Sequence, residues 1–269
     1  MIIDFHTHIF PDAIAEKTIG ALASKSGYTP YGNGTREQAL TLMKNGGVTH
    51  SVILPVVTKP SQFQSINRFA ALLNEEDAFF SFGGIHPDDE TPETHLDEIK
   101  DMGLYGIKLH PDYQETFIDD PRYIRIIRYA LSIGLSVITH AGVDDGCIGE
   151  TKCTPDRILR MLDAVYEGNL PENPQIILAH AGSFKMYDEV LEKLCGLPVF
   201  FDLAYVSEFA DPSVLLSVIR RHGADKILFA TDSPWSDPAN SIARLRALPL
   251  TEEELDLIFY QNALSILHK

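Results

Sequence analysis

Apolar and polar positions vary along this chain on two length scales. Short runs rich in branched and aromatic residues recur from end to end, and each is followed by a longer stretch with helical spacing. The short runs are Ile2–Ile9, Ser51–Val57 (SVILPVV), Phe79–His86 (FFSFGGIH), Gly106–Pro111 (GIKLHP), Leu135–Ala141 (LSVITHA), Gln175–Ala181 (QIILAHA), Val199–Ala204 (VFFDLA) and Ile227–Asp232 (ILFATD). They predict eight strands. Helical punctuation fills the gaps. Thr91-Pro92, Asp120-Pro121, Thr154-Pro155, Asp211-Pro212 and Asp237-Pro238 each place a capping residue before a proline at the first helical position. Thr251 and Glu254 have capping-box spacing. Gly46, Gly103, Gly134, Gly168, Gly196 and Gly223 stand where left-handed caps would stop the helices. In Tyr123–Leu131 the apolar groups repeat at helical spacing, with Arg122, Arg125 and Arg128 on the other side. The longest connection runs from residue 10 to about 50, with an irregular segment, Ser26–Gly34, between two helices.

Strands this apolar, each followed by a helix, belong to a parallel sheet with helices packed over it. An open doubly wound sheet is the competing architecture. Eight regularly alternating units, with histidines recurring at strand ends, favour closure. The expected fold is α/β, a single (β/α)8 TIM barrel over residues 1–269. No compositional shift or Ser/Gly/Pro-rich linker marks a second domain.

The strand ends carry the chemistry. His6 and His8 are two positions apart, so an extended strand turns both imidazoles to one face, as half of a transition-metal site would require. Two polar residues near a strand end is the plainer reading, and the other strands decide between them. His86, His110, His140, His180 and Asp232 fall at the C-terminal ends of the third, fourth, fifth, sixth and eighth strands. In a barrel those ends meet at one mouth. An unpaired buried polar group costs about 1–3 kcal/mol, so residues gathered there need a shared partner, and a cation supplies one.

Composition narrows the partners. Against 22 Lys and Arg stand 38 Asp and Glu, a formal charge of −16, which disfavours nucleic acid while leaving room for a small anionic substrate beside a local cation. Hydrophobic residues make up 45% of the chain, the usual share for a globular protein, and no run of about 18 of them suggests a membrane span. The start lacks the basic-then-apolar order of a secretory leader, and Cys147, Cys153 and Cys195 form no disulfide framework. A cytoplasmic protein is expected.

The set His6-x-His8, His140, His180 and Asp232, on strands one, five, six and eight, resembles the metal site of the amidohydrolase superfamily. The strings Asp4-Phe-His-Thr-His8, Gly106-Ile-Lys-Leu-His-Pro111, Thr139-His-Ala-Gly142, Ala179-His-Ala-Gly182 and Ala230-Thr-Asp-Ser-Pro-Trp235 are most similar to its amidohydrolase-2 branch, whose type is aminocarboxymuconate-semialdehyde decarboxylase. Many relatives carry a β-sandwich before the first strand, and none is expected here. The resemblance implies that His6, His8, His140 and Asp232 ligate a divalent metal, with zinc the expected ion. It implies that His180 ligates a second ion or polarises the substrate. Asp232 would shuttle a proton during attack by water on an amide, lactone or similar bond of a small polar substrate. Lyases of the branch give the second reading, decarboxylation or hydration of a small carboxylate. The branch also often forms dimers, so a homodimer is an expectation.

Lys108 admits three roles: a carboxylated ligand bridging two ions, a structural partner of Asp4 or Asp202, or a contact for a substrate carboxylate. A mononuclear site is favoured. For substrate binding the candidates are His86, His110, Tyr113, Asp144 and Trp235, with Asp144 in a loop, Gly142–Thr154, long enough to act as a lid. Cys147 and Cys153 could form a thiolate site, although without partners the pairing is weak. His50, His95, His222 and His268, at helix ends or loops, read as surface residues. Gly84-Ile-His-Pro87 and Thr231-Asp-Ser-Pro-Trp235 also resemble the TatD-like deoxyribonucleases. The acidic chain and the missing strand-4 glutamate count against that family. A barrel that has lost catalysis and serves as a binding protein is the remaining alternative.

Overall fold

In a computed structural model, which describes residues 1–173 and 175–268, every predicted strand forms and all pair in parallel. They are β1 (Ile3–Thr7), β2 (His50–Ile53), β3 (Phe79–Ser81), β4 (Gly83–Gly84), β5 (Gly106–Leu109), β6 (Ser136–Thr139), β7 (Ile176–Leu178), β8 (Phe200–Asp202) and β9 (Ile227–Leu228). The ladders run β1-β2-β3 and β4 through β9 in sequence order. β3 and β4 are two halves of one predicted strand, broken at Phe82, whose N–H turns to Ile53 O. The last seam closes on the first strand: Phe5 N–H bonds Phe229 O at 2.9 Å, Asp232 N–H bonds His6 O at 2.9 Å, and Thr7 bridges Ser233. The result is the closed (β/α)8 barrel.

The strands are shorter than the apolar runs suggested. His8, His86, His110, His140, His180 and Asp232 all lie just beyond the ends of their ladders. The chain leaves the sheet by turning sharply, with positive φ at His180 (60°), Ala181 (57°) and Asp232 (65°), values that L-residues seldom adopt. Such local strain is held by surrounding structure and is commonest at functional sites.

Side chains alternate across the barrel wall. Val52, Leu54, Phe82, Ile138, Ile177 and Leu228 meet inside, and Ala263, Ile266 and Leu267 of the C-terminal segment pack on the same cluster. Ile53, Ile107, Leu109, Val137, Leu178 and Phe201 face the helices instead. β1 departs from simple alternation. Its register on β2 slips between Asp4 and Thr7, so three steps of β1 match two of β2. That β-bulge lets Phe5 join the inner cluster while His6, the next residue, also turns inward. Asp4 accepts the His6 N–H at 3.2 Å and so satisfies the bulge.

The helices start where the sequence indicates. Asp120, Thr154, Asp211, Asp237 and Thr251 each accept a backbone N–H in the first turn of the helix they precede. Thr91 precedes helix Pro92–Asp101 without such a bond. Some stops differ: the left-handed cap of helix Arg36–Gly46 is Gly47, not Gly46, that of helix Pro155–Tyr166 is Glu167, one residue before Gly168, and Gly223 ends helix Pro212–His222 at φ 103° and ψ 126°, outside the left-handed helical region. Gly46 serves a close approach, since a Cβ there would lie 2.7 Å from Pro238 Cβ. Among the described residues no helix is long and apolar enough to cross a membrane.

Candidate metal centre

β1, its bulge and the turn after β9 bring three donors together. One ligand atom each from His6, His8 and Asp232 lies within 4.8 Å of the other two. His8 Nε2 is 3.1 Å and His6 Nε2 3.5 Å from Asp232 Oδ1. The remaining ring nitrogens fix the tautomers. His8 Nδ1 donates to Leu54 O at 2.9 Å, and His6 Nδ1 meets Asp202 Oδ2 at 2.7 Å. With the protons on Nδ1, both Nε2 lone pairs point into the cluster.

His140 and His180 stand beside it. His180 Nδ1 donates to Ala204 O at 3.0 Å, which leaves its Nε2 to accept from His140 Nδ1, also at 3.0 Å. The His180 ring centroid is 5.4 Å from that of His6. By this chain of donors His140 Nε2 is a bare lone pair, and it is buried without a partner. Two imidazole lone pairs and a carboxylate form a donor set suited to a divalent ion of the zinc or manganese type, and the orphaned His140 nitrogen belongs to a separate group of donors.

Electrostatics agrees with that assignment. Burial pushes the His6 and His140 imidazoles well below their usual range, helped by nearby Lys108, so both stay neutral. Burial alone would raise the Asp232 carboxyl, but His6, His8 and His180 outweigh it and hold it below its ordinary value. Lys108 on β5 is 1% exposed, with Nζ 3.3 Å from His6 Nε2. Burial pushes its ammonium down to about 8 against the pull of Asp202 and Asp232. Neither carboxylate suggested by the sequence bonds it. Asp4 is held by the Thr231 hydroxyl and N–H, and Asp202 by His6 and two backbone N–H groups.

A second group assembles under the loop after β6. Ligand atoms of His110, His140 and Asp144 lie within 4.8 Å of one another. His110 is stacked between Tyr113 (3.9 Å) and His140 (4.3 Å), and its Nε2 meets Asp144 Oδ2 at 3.3 Å. The Tyr113 N–H approaches His110 Nδ1 at 3.4 Å, which leaves the proton on Nε2 facing Asp144. His110 therefore carries its proton on Nε2 and donates it to Asp144, whereas His6, His8, His140 and His180 donate through Nδ1. The loop is fastened further out by Asp145, which accepts from Lys185 Nζ at 2.6 Å and from the Tyr28 hydroxyl. Its base is Gly142, at φ 89°, where a Cβ would lie 2.1 Å from Phe184 N.

Other expectations land elsewhere. His86 is 7% exposed, but its Nδ1 accepts from Asp88 N–H and it joins neither donor group. Trp235 is half-buried and its N–H bonds Asp232 O; its ring makes no hydrogen bond or ring contact among the described residues. Cys147 and Cys153 belong to neither group, and burial pushes the Cys147 thiol up to about 12. His222 is not a surface residue. It is 2% exposed and stacks on Phe201 at 3.7 Å, because its helix ends against the outer face of β8. Sequence reasoning named Asp202 only as a partner for Lys108 and did not anticipate its contact with His6. The signal was a lone carboxylate in an otherwise apolar strand.

Comparison with known proteins now settles the class. The amidohydrolase family model (Amidohydro_2) matches residues 3–269, and the chain belongs to that family, a metal-dependent branch of the amidohydrolase superfamily. Among solved structures the fold is similar to 2,6-dihydroxybenzoate decarboxylase from Rhizobium (16% identity, 99% of this chain and 98% of that one, TM-score 0.70). It is also similar to a manganese-bound 5-carboxyvanillate decarboxylase from Novosphingobium aromaticivorans (14%, 100% and 97%, TM-score 0.73). A third is a putative 2-pyrone-4,6-dicarboxylic acid hydrolase from Pseudomonas putida (17%, 99% and 97%, TM-score 0.68). A search of curated proteins found no match.

Proposed function

We propose that this chain is a metal-dependent hydrolase that cleaves a C–N or C–O bond, as in an amide or lactone, of a small polar substrate. The observation that carries the reading is the convergence of His6, His8 and Asp232, within 4.8 Å, at the rim where barrel enzymes do their chemistry. A divalent ion held by these donors, with His140 or His180 adjoining, supplies Lewis acidity that polarises a carbonyl and lowers the pKa of water toward neutrality. The protein's part is proton handling. Asp232 accepts a proton from the attacking water at an oxygen that already points into the cluster, then returns it to the leaving group. His180, with Nδ1 donating to Ala204 O and Nε2 accepting from His140, orients His140 and offers no N–H to a substrate oxygen, and the loop around Asp144 excludes solvent. Zinc suits the two-imidazole, one-carboxylate set; manganese, bound in one structural neighbour, is the other ion to test.

Lys108 supports a second reading, decarboxylation. A cation on the inner wall, 1% exposed, would hold a substrate carboxylate, and aromatic rings flank two of the site's histidines: Tyr113 stacks on His110, and Phe184 packs edge-on to His180. Two of the structural neighbours are named as aromatic-acid decarboxylases. The deciding experiment loads the purified protein with zinc or manganese and assays two panels, amides and lactones for hydrolysis and hydroxybenzoates for CO2 release. Turnover in the first panel alone supports the hydrolase, and CO2 release alone replaces it with the lyase. Absence of any bound divalent metal would refute both.

A further inference from the structure

Asp202 is fully buried at the end of β8, and neither of its oxygens is free. Oδ2 meets His6 Nδ1 at 2.7 Å. Oδ1 accepts two backbone N–H groups, from His180 at 2.8 Å and Ala204 at 3.0 Å. One carboxylate thus joins a donor of the metal cluster to the backbone of a second site histidine, across strands distant in sequence. A buried ion is costly to keep, and an apolar residue would suit the strand equally well. What the carboxylate holds explains its presence.

We infer that Asp202 is a positioning residue that locks His6 in its metal-binding tautomer, and that the two backbone donors on its other oxygen make the lock depend on a carboxylate rather than an amide. This rests on the reading of His6 as a metal ligand. A carboxylate only accepts, so His6 Nδ1 carries the proton and Nε2 keeps its lone pair. Lys108 gives independent support: an ammonium only donates, and its Nζ faces His6 Nε2 at 3.3 Å. With asparagine at 202 the N–H groups of His180 and Ala204 claim the amide oxygen. The amide NH2 is then turned toward His6 Nδ1. His6 must become an acceptor there and carry its proton on Nε2, where a metal cannot bind. Rotating the amide to rescue His6 would set its NH2 against both backbone donors. Alanine imposes no such tautomer, so it should harm metal binding less than the nearly isosteric amide.

The test uses the full chain stripped of metal, 15N-labelled at histidine, with zinc affinity measured by competition against a chromophoric chelator. In the parent, the His6 resonance, assigned by its loss in His6→Ala, should show a protonated Nδ1 and a bare Nε2. Asp202→Asn should exchange the two and lower zinc affinity 10- to 100-fold, the usual scale for groups that orient metal ligands. Asp202→Ala should fall between. A parent His6 protonated on Nε2 overturns the inference without any variant at 202. So does an Asp202→Asn protein that keeps the parental tautomer, or that exchanges it with no loss of zinc. His6→Ala binding zinc like the parent would instead overturn the metal-centre reading while the tautomer measurement still judged Asp202.

Discussion

Two effects compete at Asp232. Burial opposes ionisation, and three imidazoles favour it and win. The same carboxylate is thereby basic in position and charged in resting form, as a proton acceptor must be. Asp232→Asn preserves shape and removes both properties. Its turnover should fall about 10²- to 10⁴-fold with the circular dichroism spectrum unchanged, and parental kcat in the metal-loaded variant would refute the proton-transfer role. Single residues were unevenly legible in the sequence. The spacing of His6 and His8 betrayed a shared face because two residues is the repeat of a strand. Lys108 could be placed on the inner wall, but not beside His6, since that contact spans 102 positions. Asp202 stayed obscure because its role lies in what it touches and not in its neighbours along the chain.

At the level of elements, the capping side chains other than Thr91 were read correctly because capping is local: a side-chain oxygen and the next two or three N–H groups lie in one short segment. Strand ends were overestimated, since apolar character continues past the point where positive φ at His180 and Asp232 turns the chain out of the ladder. The bulge in β1 was invisible, because register is a property of two strands. His222 shows the same limit. Polar and near a helix end, it resembled a surface residue, yet Nε2 donates to Val199 O at 2.8 Å and Nδ1 accepts from Gly196 N–H at 3.2 Å. Burial pushes its imidazole down to about 4 from 6.5, and protonation would set an N–H against the Gly196 N–H. Between these values the unfolded chain binds more protons than the folded one, so the stabilisation is full above pH 6.5 and is lost as pH falls toward 4. In urea titrations at pH 7 and pH 4.5, the parent should lose about 2 kcal/mol more on acidification than His222→Gln. Equal losses would show that His222 is not a source of the acid sensitivity.

The whole molecule couples the mouth to the barrel. Donors from β1 and from the turn after β9 meet only because the last seam closes on the first strand, through bonds such as Asp232 N–H to His6 O. An ion that binds those donors in the folded chain and not in the unfolded one must stabilise the fold. At a free concentration of about 100 times its Kd the gain is about 2.7 kcal/mol, and for a chain of this size Tm should rise by several degrees. Chelator-treated protein titrated with zinc in a thermal melt checks this. His6→Ala/His8→Ala should lose the increment, and a rise equal to the parent's would place the ion elsewhere.

Read by itself, the sequence determined the alternation of strand and helix, the caps and the inward face of the first two histidines, because each follows from neighbours a few residues apart. It also named His6, His8 and Asp232, the three donors that the fold gathers into one cluster. Tertiary structure alone decided the rest: the closing seam, the bulge that turns both Phe5 and His6 inward, the tautomers set by Leu54, Asp202 and Ala204, and the grouping of His110 with Asp144. Those features depend on hydrogen bonds and contacts between segments far apart in the chain, and folding is what brings such partners within reach.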